Sequence, residues 1–326
     1  MPAGFKRVAI LGTGLIGGSF GLALRKLRPR PRVVGWDKPD VLRHALARKA
    51  IDRGESDLAR AVKGADLVYV ALPVGAVLEH LPEIARAVSP TALVTDTASS
   101  KRAICDQAAA CFTGRALFLG GHPMAGKEIS GVAAADAKLF DGARYALIRS
   151  GAAVAAAPGR AERVAEPASA ERIAEPGRVE RVAEPVSAER IALNDPRIES
   201  FVALLGKLGA QTVWLDAASH DRAAAFVSHL PQLLSVALAG VVRDQTDQTG
   251  LPLILAGRGL RESLRLAGSP YALWRDIILT NSDNIDRALD CMAQAIENLR
   301  PLLRRRELED EFAAAGELYK ILRDSQ

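Results

Sequence analysis

The sequence predicts an α/β protein, with a doubly wound, mostly parallel sheet in residues 1–150 followed by an all-helical domain in residues 196–326. Three observations predict it. Short apolar runs alternate with amphipathic helical stretches as far as residue 150, the pattern of successive βαβ units. The first run, Val8-Ala9-Ile10-Leu11, ends on Gly12-Thr-Gly14-Leu15-Ile16-Gly17, a glycine-rich turn that leads straight into a helix. Past residue 196, helical periodicity dominates, with one short apolar run at Gln211–Leu215.

The glycine-rich turn is of the Rossmann type. Gly12 allows the tight bend, Gly14 lets the backbone approach a pyrophosphate, and Gly17 lets the new helix pack close to the sheet. Leu15 and Ile16 open that helix, whose free N–H groups and positive dipole end face the phosphates. Phe20, Leu22, Leu24 and Leu27 form its apolar side, and the next strand, Val33–Trp36, ends on Asp37. That carboxylate lies 20 residues beyond Gly17, where it can accept the hydroxyls of an adenosine ribose. An acid there repels a 2′-phosphate, so NAD is expected rather than NADP.

Asp40–Lys49 reads as a helix and Asp66–Leu72 as the next buried strand. The strand closes on Leu72-Pro73-Val74, a stretch expected to line the nicotinamide side of the cleft. Ala92–Asp96 follows, then Thr97-Ala98-Ser99-Ser100-Lys101 and another helix. Ser99 and Ser100 either cap that helix or face a ligand, and one can do each. Ala116–Leu119 runs into Gly120-Gly121-His122-Pro123-Met124-Ala125-Gly126. Glycines and a proline around one histidine describe a loop shaped to present a single imidazole, so His122 is read as catalytic.

At 326 residues, with 49% hydrophobic and 25% charged residues, the composition is that of an ordinary globular protein of two domains. There is no run of 18 apolar residues, so no membrane association is expected. The first strand starts too early for a signal peptide. Cys105, Cys111 and Cys291 lack metal or redox spacing, so no metal is expected and a reducing, cytoplasmic setting is. The net charge of +5 has no aromatic-interleaved basic stripe, which suits small anions rather than nucleic acid. Residues 151–195 differ in kind: AERVAEP, AERIAEP, VERVAEP and AERIALN recur with a period of nine, three of them closed by a proline. Without aromatics such a segment cannot bury a core, so a disordered insertion is expected.

In the second domain Arg197–Leu208 is a helix, and Asp216 caps a long one holding His220, His229, Pro231 and Gln232. Pro231 should kink it and turn His229 and Gln232, three apart, toward a common cleft. By spacing alone His229 is open between function and packing, and His220 reads as an interhelical hydrogen bond. Arg258, Arg261 and Arg265 can share one helical face, which is usually a solvated one. Ile285, Leu289, Met292, Ile296, Leu299 and Leu303 make the seam of a helix packed lengthwise on another, with Pro301 inside it.

The segments GTGLIGGSFGLAL, TDTASSK, GGHPMAGKEISG, LFDGARYAL, SHDRAAAFVSHLPQ and LAGSPYALWRDIILTNSDNI occur in this order. Together they resemble the prephenate/arogenate (cyclohexadienyl) dehydrogenase family of tyrosine biosynthesis. The resemblance implies NAD-linked oxidative decarboxylation of a cyclohexadienol and a homodimer made through the helical domain. It implies His122 as base or hydroxyl acceptor, Ser99 bonded to it, Arg265 on the ring carboxylate, and His229, Gln232 and Trp274 near the substrate. Many prephenate-using relatives carry a histidine where this chain has Gln232. A neutral glutamine can accept from an ammonium or donate to a keto oxygen, so the position does not settle the substrate, and prephenate leads with arogenate open. A β-hydroxyacid dehydrogenase would need a lysine base on the long helix, which offers His220 and His229 instead. A non-enzymatic redox sensor would have no need of Ser99, His122 and Arg265 together.

Overall fold

The structure, a computed structural model, describes residues 4–114, 116–126, 129, 131–149, 195–246 and 249–324. The nine-residue repeats lie outside the described residues.

Eight strands form one sheet in the order β3-β2-β1-β4-β5-β6-β7-β8. They are β1 (Arg7–Leu11), β2 (Arg32–Trp36), β3 (Arg53–Glu55), β4 (Leu67–Val70), β5 (Leu93–Asp96), β6 (Leu117–Pro123), β7 (Arg144–Arg149) and β8 (Gln211–Asp216). All neighbours are parallel except β6 and β7. The strand order reverses between β1 and β4, which opens a crevice at their carboxyl ends. Along β1 the side chains alternate between two cores. Val8 and Ile10 join Phe20 and Leu24 of α1 (Leu15–Leu24) and Leu42 of α2 (Pro39–Ala47). Ala9 and Leu11 join α3 (Leu58–Val62), α4 (Val74–Ala87) and α5 (Arg102–Cys111) on the other face. Near-continuous apolar strands follow from burial on both faces.

Two expectations change here. The segment expected to open the second domain at residue 196 completes the sheet instead. Helix α6 (Pro196–Lys207) buries Ile198, Phe201, Leu204 and Leu205 in the first core. Strand β8 pairs in parallel with β7, Arg144 opposite Gln211 through Arg149 opposite Asp216. The sheet-bearing part therefore reaches Asp216. The second change concerns His122, which lies on a strand rather than in a loop. Strand β6 pairs with β5 as far as Leu119 and with β7 from Gly120 to Pro123.

After Asp216 the chain is helical: α7 (Ala217–Ala224), a π turn at Ala225–His229, α8 (Leu230–Asp244), α9 (Leu251–Ile254), α10 (Arg258–Ser263), a 3-10 turn at Arg265–Gly268, α11 (Tyr271–Thr280), α12 (Ser282–Arg305) and α13 (Glu309–Asp324). The kink expected at Pro231 takes the form of the π turn just before it, where hydrogen bonds lengthen by one residue. By length and composition alone, Ala217–Asp244 is apolar enough to cross a bilayer, which the search for an unbroken apolar run passes over. Ala225 and Leu230 of this stretch pack on Ile285 and Ala288 of α12.

Candidate active site

The glycine-rich turn fits a phosphate cradle. Gly12 has φ +88°, and a Cβ there would lie 2.3 Å from the Ala71 carbonyl oxygen, so the turn is pressed against the end of β4. A Cβ at Gly17 would lie 1.9 Å from the Gly12 oxygen, which ties the first turn of α1 to the bend. Beyond its chain neighbours, no described residue comes within 4 Å of a Cβ placed on Gly14, so it faces open space, as backbone that must admit a ligand should. Asp37 braces the turn: its Oδ2 accepts from Thr13 N at 2.6 Å and Thr13 Oγ1 at 3.1 Å, and its Oδ1 from Lys38 N. Leu72 and Pro73 lead from β4 into α4 beside this turn, and a Cβ at Gly12 would also meet Leu72 Cδ2 at 2.9 Å. Buried Val74 is the first residue of α4.

His122 sits at the carboxyl edge of the sheet, beyond the end of β5. Its backbone is held by a buried ion pair that spacing does not reveal. Lys101 Nζ pairs with Asp96 and also donates to the Gly121 oxygen at 2.8 Å, while Asp96 Oδ1 accepts from Gly121 N at 3.0 Å. Lys101 is fully buried, so it braces β6. A Cβ at Gly121 would lie 2.6 Å from the Asp96 backbone oxygen; glycine is required by the approach of two strands, not by a loop.

The His122 side chain engages His220, not Ser99. His122 Nδ1 lies 2.9 Å from His220 Nε2, and His220 Nδ1 lies 2.8 Å from Asp221 Oδ1. Asp221 is acceptor-only when ionised, so His220 Nδ1 carries the proton and its Nε2 accepts from His122 Nδ1. His122 Nε2 is thereby left as an acceptor. Burial first, then the electrostatic opposition of His220, Lys101 and His229 to a second positive charge, pushes the His122 imidazolium well below its ordinary range.

Asp221 does a second task. Its two oxygens accept from Lys101 N at 2.7 Å and Arg102 N at 2.9 Å, capping α5 from across the domain boundary. Neither Ser99 nor Ser100 caps that helix. Ser99 is half-buried between β5 and α5, and Ser100 Oγ bonds Thr280 Oγ1 of α11 at 2.7 Å.

His229 and Gln232 are both buried near this relay. Asn281 Nδ2 donates to the Asp221 backbone carbonyl oxygen at 2.8 Å and to His229 Nδ1 at 3.2 Å. His229 Nε2 therefore carries its proton, and it has no partner among the described residues. Gln232 Nε2 donates to the Leu266 oxygen at 2.8 Å, and its Oε1 has no partner among the described residues either. An unpaired buried donor and acceptor three residues apart are costly unless something fills them. Burial pushes His229 down to about 4, partly opposed by Asp221. Trp274 of α11 meets the His229 ring edge-on, with centroids 5.9 Å apart. Arg265 opens the 3-10 turn that Gln232 holds, and Ser235 Oγ accepts from Ala267 N at 2.9 Å in the same turn. The structure thus joins His122 to His220, Asp221 and Asn281, and His229 to Trp274. Arg265 stands on a turn docked to the same helix as Gln232. His220, Asp221 and Asn281 had no spacing signal marking them as part of the site.

Two family models match: prephenate dehydrogenase, nucleotide-binding domain, over residues 20–171, and prephenate dehydrogenase, dimerization domain, over residues 216–322. The second begins where β8 ends. The prephenate dehydrogenase of Bacillus subtilis (strain 168) is 30% identical over 308 residues, which is 94% of this chain and 72% of that protein. The crystal structure of A. aeolicus prephenate dehydrogenase in complex with hydroxyphenyl propionate and NAD+ superimposes with a TM-score of 0.79 at 22% identity, covering 100% of both chains. Synechocystis arogenate dehydrogenase gives 0.69 at 25% identity over 98% of this chain and 99% of that one. The chain belongs to the prephenate dehydrogenase family of oxidoreductases.

Proposed function

We propose that the protein catalyses the NAD-dependent oxidative decarboxylation of prephenate to 4-hydroxyphenylpyruvate. The observation that carries the reading is the His122–His220–Asp221 relay at the carboxyl edge of a sheet whose first turn is an open phosphate cradle. The A. aeolicus structure with NAD+ and hydroxyphenyl propionate supports both ligands. NAD, when bound on Gly12, Gly14, Leu15, Ile16, Gly17, Asp37, Leu72, Pro73 and Val74, supplies the hydride acceptor. Asp37 opposes a 2′-phosphate and so favours NAD over NADP.

His122 Nε2 takes the proton of the ring hydroxyl as the carbinol hydrogen departs as hydride. The new imidazolium passes its charge toward Asp221 through His220, so the proton is held without exposing it to water. Arg265 binds the ring carboxylate through a two-pronged guanidinium contact, and Ser99 lies on the hydroxyl side. Loss of carbon dioxide from the opposite ring carbon aromatises the product. His229 Nε2 donates to the side-chain carboxylate, and Trp274 bounds that end of the cleft.

One observation favours the arogenate reading as well. Gln232 gives one Nε2 hydrogen to the Leu266 oxygen, and its Oε1 is left as an acceptor with no partner among the described residues. That suits an ammonium better than a keto oxygen. Following NADH formation with prephenate and with arogenate in parallel tests the reading; no NADH from either would overturn it.

The active form is a homodimer through the helical domain, supported by the match to a dimerization domain and by the apolar faces that α8 to α13 leave uncovered. The three cysteines are free thiols, in keeping with a cytoplasmic setting.

A further inference from the structure

We infer that Asp276 is a positioning residue that fixes the distance between the substrate side and the cofactor side of the cleft, by capping α4 from the opposite domain. The inference rests on the function proposed above. Helix α4 has no cap of its own, because Pro73 occupies its N-cap position and offers no side-chain acceptor. The acceptor comes from α11 instead: Gly75 N donates to Asp276 Oδ2 at 3.2 Å. The contact is close. A Cβ on residue 75 would lie 2.4 Å from Asp276 Oδ2, so a larger residue there would displace the carboxylate from this pose. The other oxygen, Oδ1, accepts from Arg275 Nε at 2.8 Å, which holds the carboxylate in that pose.

A second tether fixes the rotation of α11. Thr280 Oγ1 donates to the Asp276 backbone oxygen at 2.7 Å, so Ser100 Oγ must donate in the 2.7 Å bond between Ser100 and Thr280. The two tethers, one turn apart, land at the carboxyl ends of β4 and β5. Trp274, which packs on His229, is borne by the same helix. Asp276 and Thr280 therefore set the substrate end of the cleft against Leu72–Val74. Hydride transfer is steep in that distance: a misplacement of about 1 Å can cost about 10²-fold.

The test compares Asp276→Ala, Asp276→Asn and Gly75→Ala in the full-length protein, by steady-state kinetics and thermal melting. Asp276→Ala should lower kcat about 10- to 100-fold while KM for NAD+ stays within about twofold. Asp276→Asn keeps an acceptor oxygen and should recover most of that loss. Gly75→Ala leaves the carboxylate in the chain but displaces it, and should reproduce the loss. A helix cap with no positioning role would lower the melting temperature alone; unchanged kcat in both alanine variants overturns the inference. Should Asp276→Ala fail to fold, Thr280→Val, which severs the second tether, must show the same kcat-selective loss or the inference falls. Parent enzyme active with unaltered variants refutes only this role, whereas a parent inactive on both substrates removes the proposed function and this role with it.

Discussion

An imidazole accepts a proton only while neutral, and His122 is held neutral first by burial, with His220, Lys101 and His229 further opposing a positive charge on it. Replacing it by asparagine should lower turnover by ~10²–10⁴, the range for a positioned base, while NAD+ affinity measured by fluorescence titration stays near the parent value. Near-parent turnover would discard the role. The same neutrality links stability to pH. His122 and His229 have folded pKa values below the ordinary histidine value, the latter about 4, so between those values and about 6.5 the unfolded chain binds more protons. Their contribution is fully present above about pH 6.5 and is lost as pH falls toward the folded values, at up to about 1.4 kcal/mol per pH unit for each group. Urea midpoints at pH 7, 6 and 5 should fall in order, and His229→Asn should flatten part of the slope; a parent slope that survives this change intact would refute the assignment to His229. His122 could be singled out from the sequence because its glycine-rich neighbourhood is contiguous. His220 and Asp221 could not, because their significance lies in contacts with residues about a hundred positions away.

The element that hides them is the helix from Ala217 to Asp244. His220 and His229 are nine residues apart, which in a regular α-helix puts them on opposite sides. The π turn at Ala225–His229 absorbs an extra residue, and both histidines end up buried, 3% and 1% exposed. A proline predicts a disturbance; it does not predict which way the bonds shift. Strand β6 shows the converse case, where glycines read as a loop are the requirement of strand packing. The apolar runs of β1, β2, β4 and β5 were legible because burial on both faces leaves a nearly continuous signal. The end of β6 was not, because Gly121 and Pro123 carry no strand preference of their own. Adding a methyl at Gly121 tests this account. Gly121→Ala would place a Cβ 2.6 Å from the Asp96 oxygen, so it should cost about 1–3 kcal/mol as an overpacked site and displace His122. Thermal melting should drop and kcat should drop with it. A variant with parent stability would mean that the strands have room to spare.

At the scale of the molecule, the two halves bury their apolar residues very differently. The sheet domain encloses two cores, whereas α12 buries only Ile285 and Ala288 and α13 buries nothing. The predicted seam shows the change along its length: Ile285 is covered, but Leu289, Ile296, Leu299 and Leu303 are exposed, the last at 66%. An isolated helix of 16 residues is marginal in water, since most helical stability comes from packing of an apolar face. Phe312, 76% exposed, and Leu322, 59% exposed, give α13 such a face with nothing from the same chain against it among the described residues. A second copy of the helical domain is the partner proposed above, because this part of the chain matches the model of a dimerization domain. If so, α13 owes its order to the dimer, and a charge on its apolar face acts through association. Leu303→Glu combined with Phe312→Glu should convert the protein to monomer in light scattering after size exclusion. It should also lower helical content in circular dichroism, while the sheet domain keeps its affinity for NAD+. A double variant that stays dimeric would place the interface elsewhere; one that becomes monomeric with unchanged helicity would show that α13 is stable without a partner.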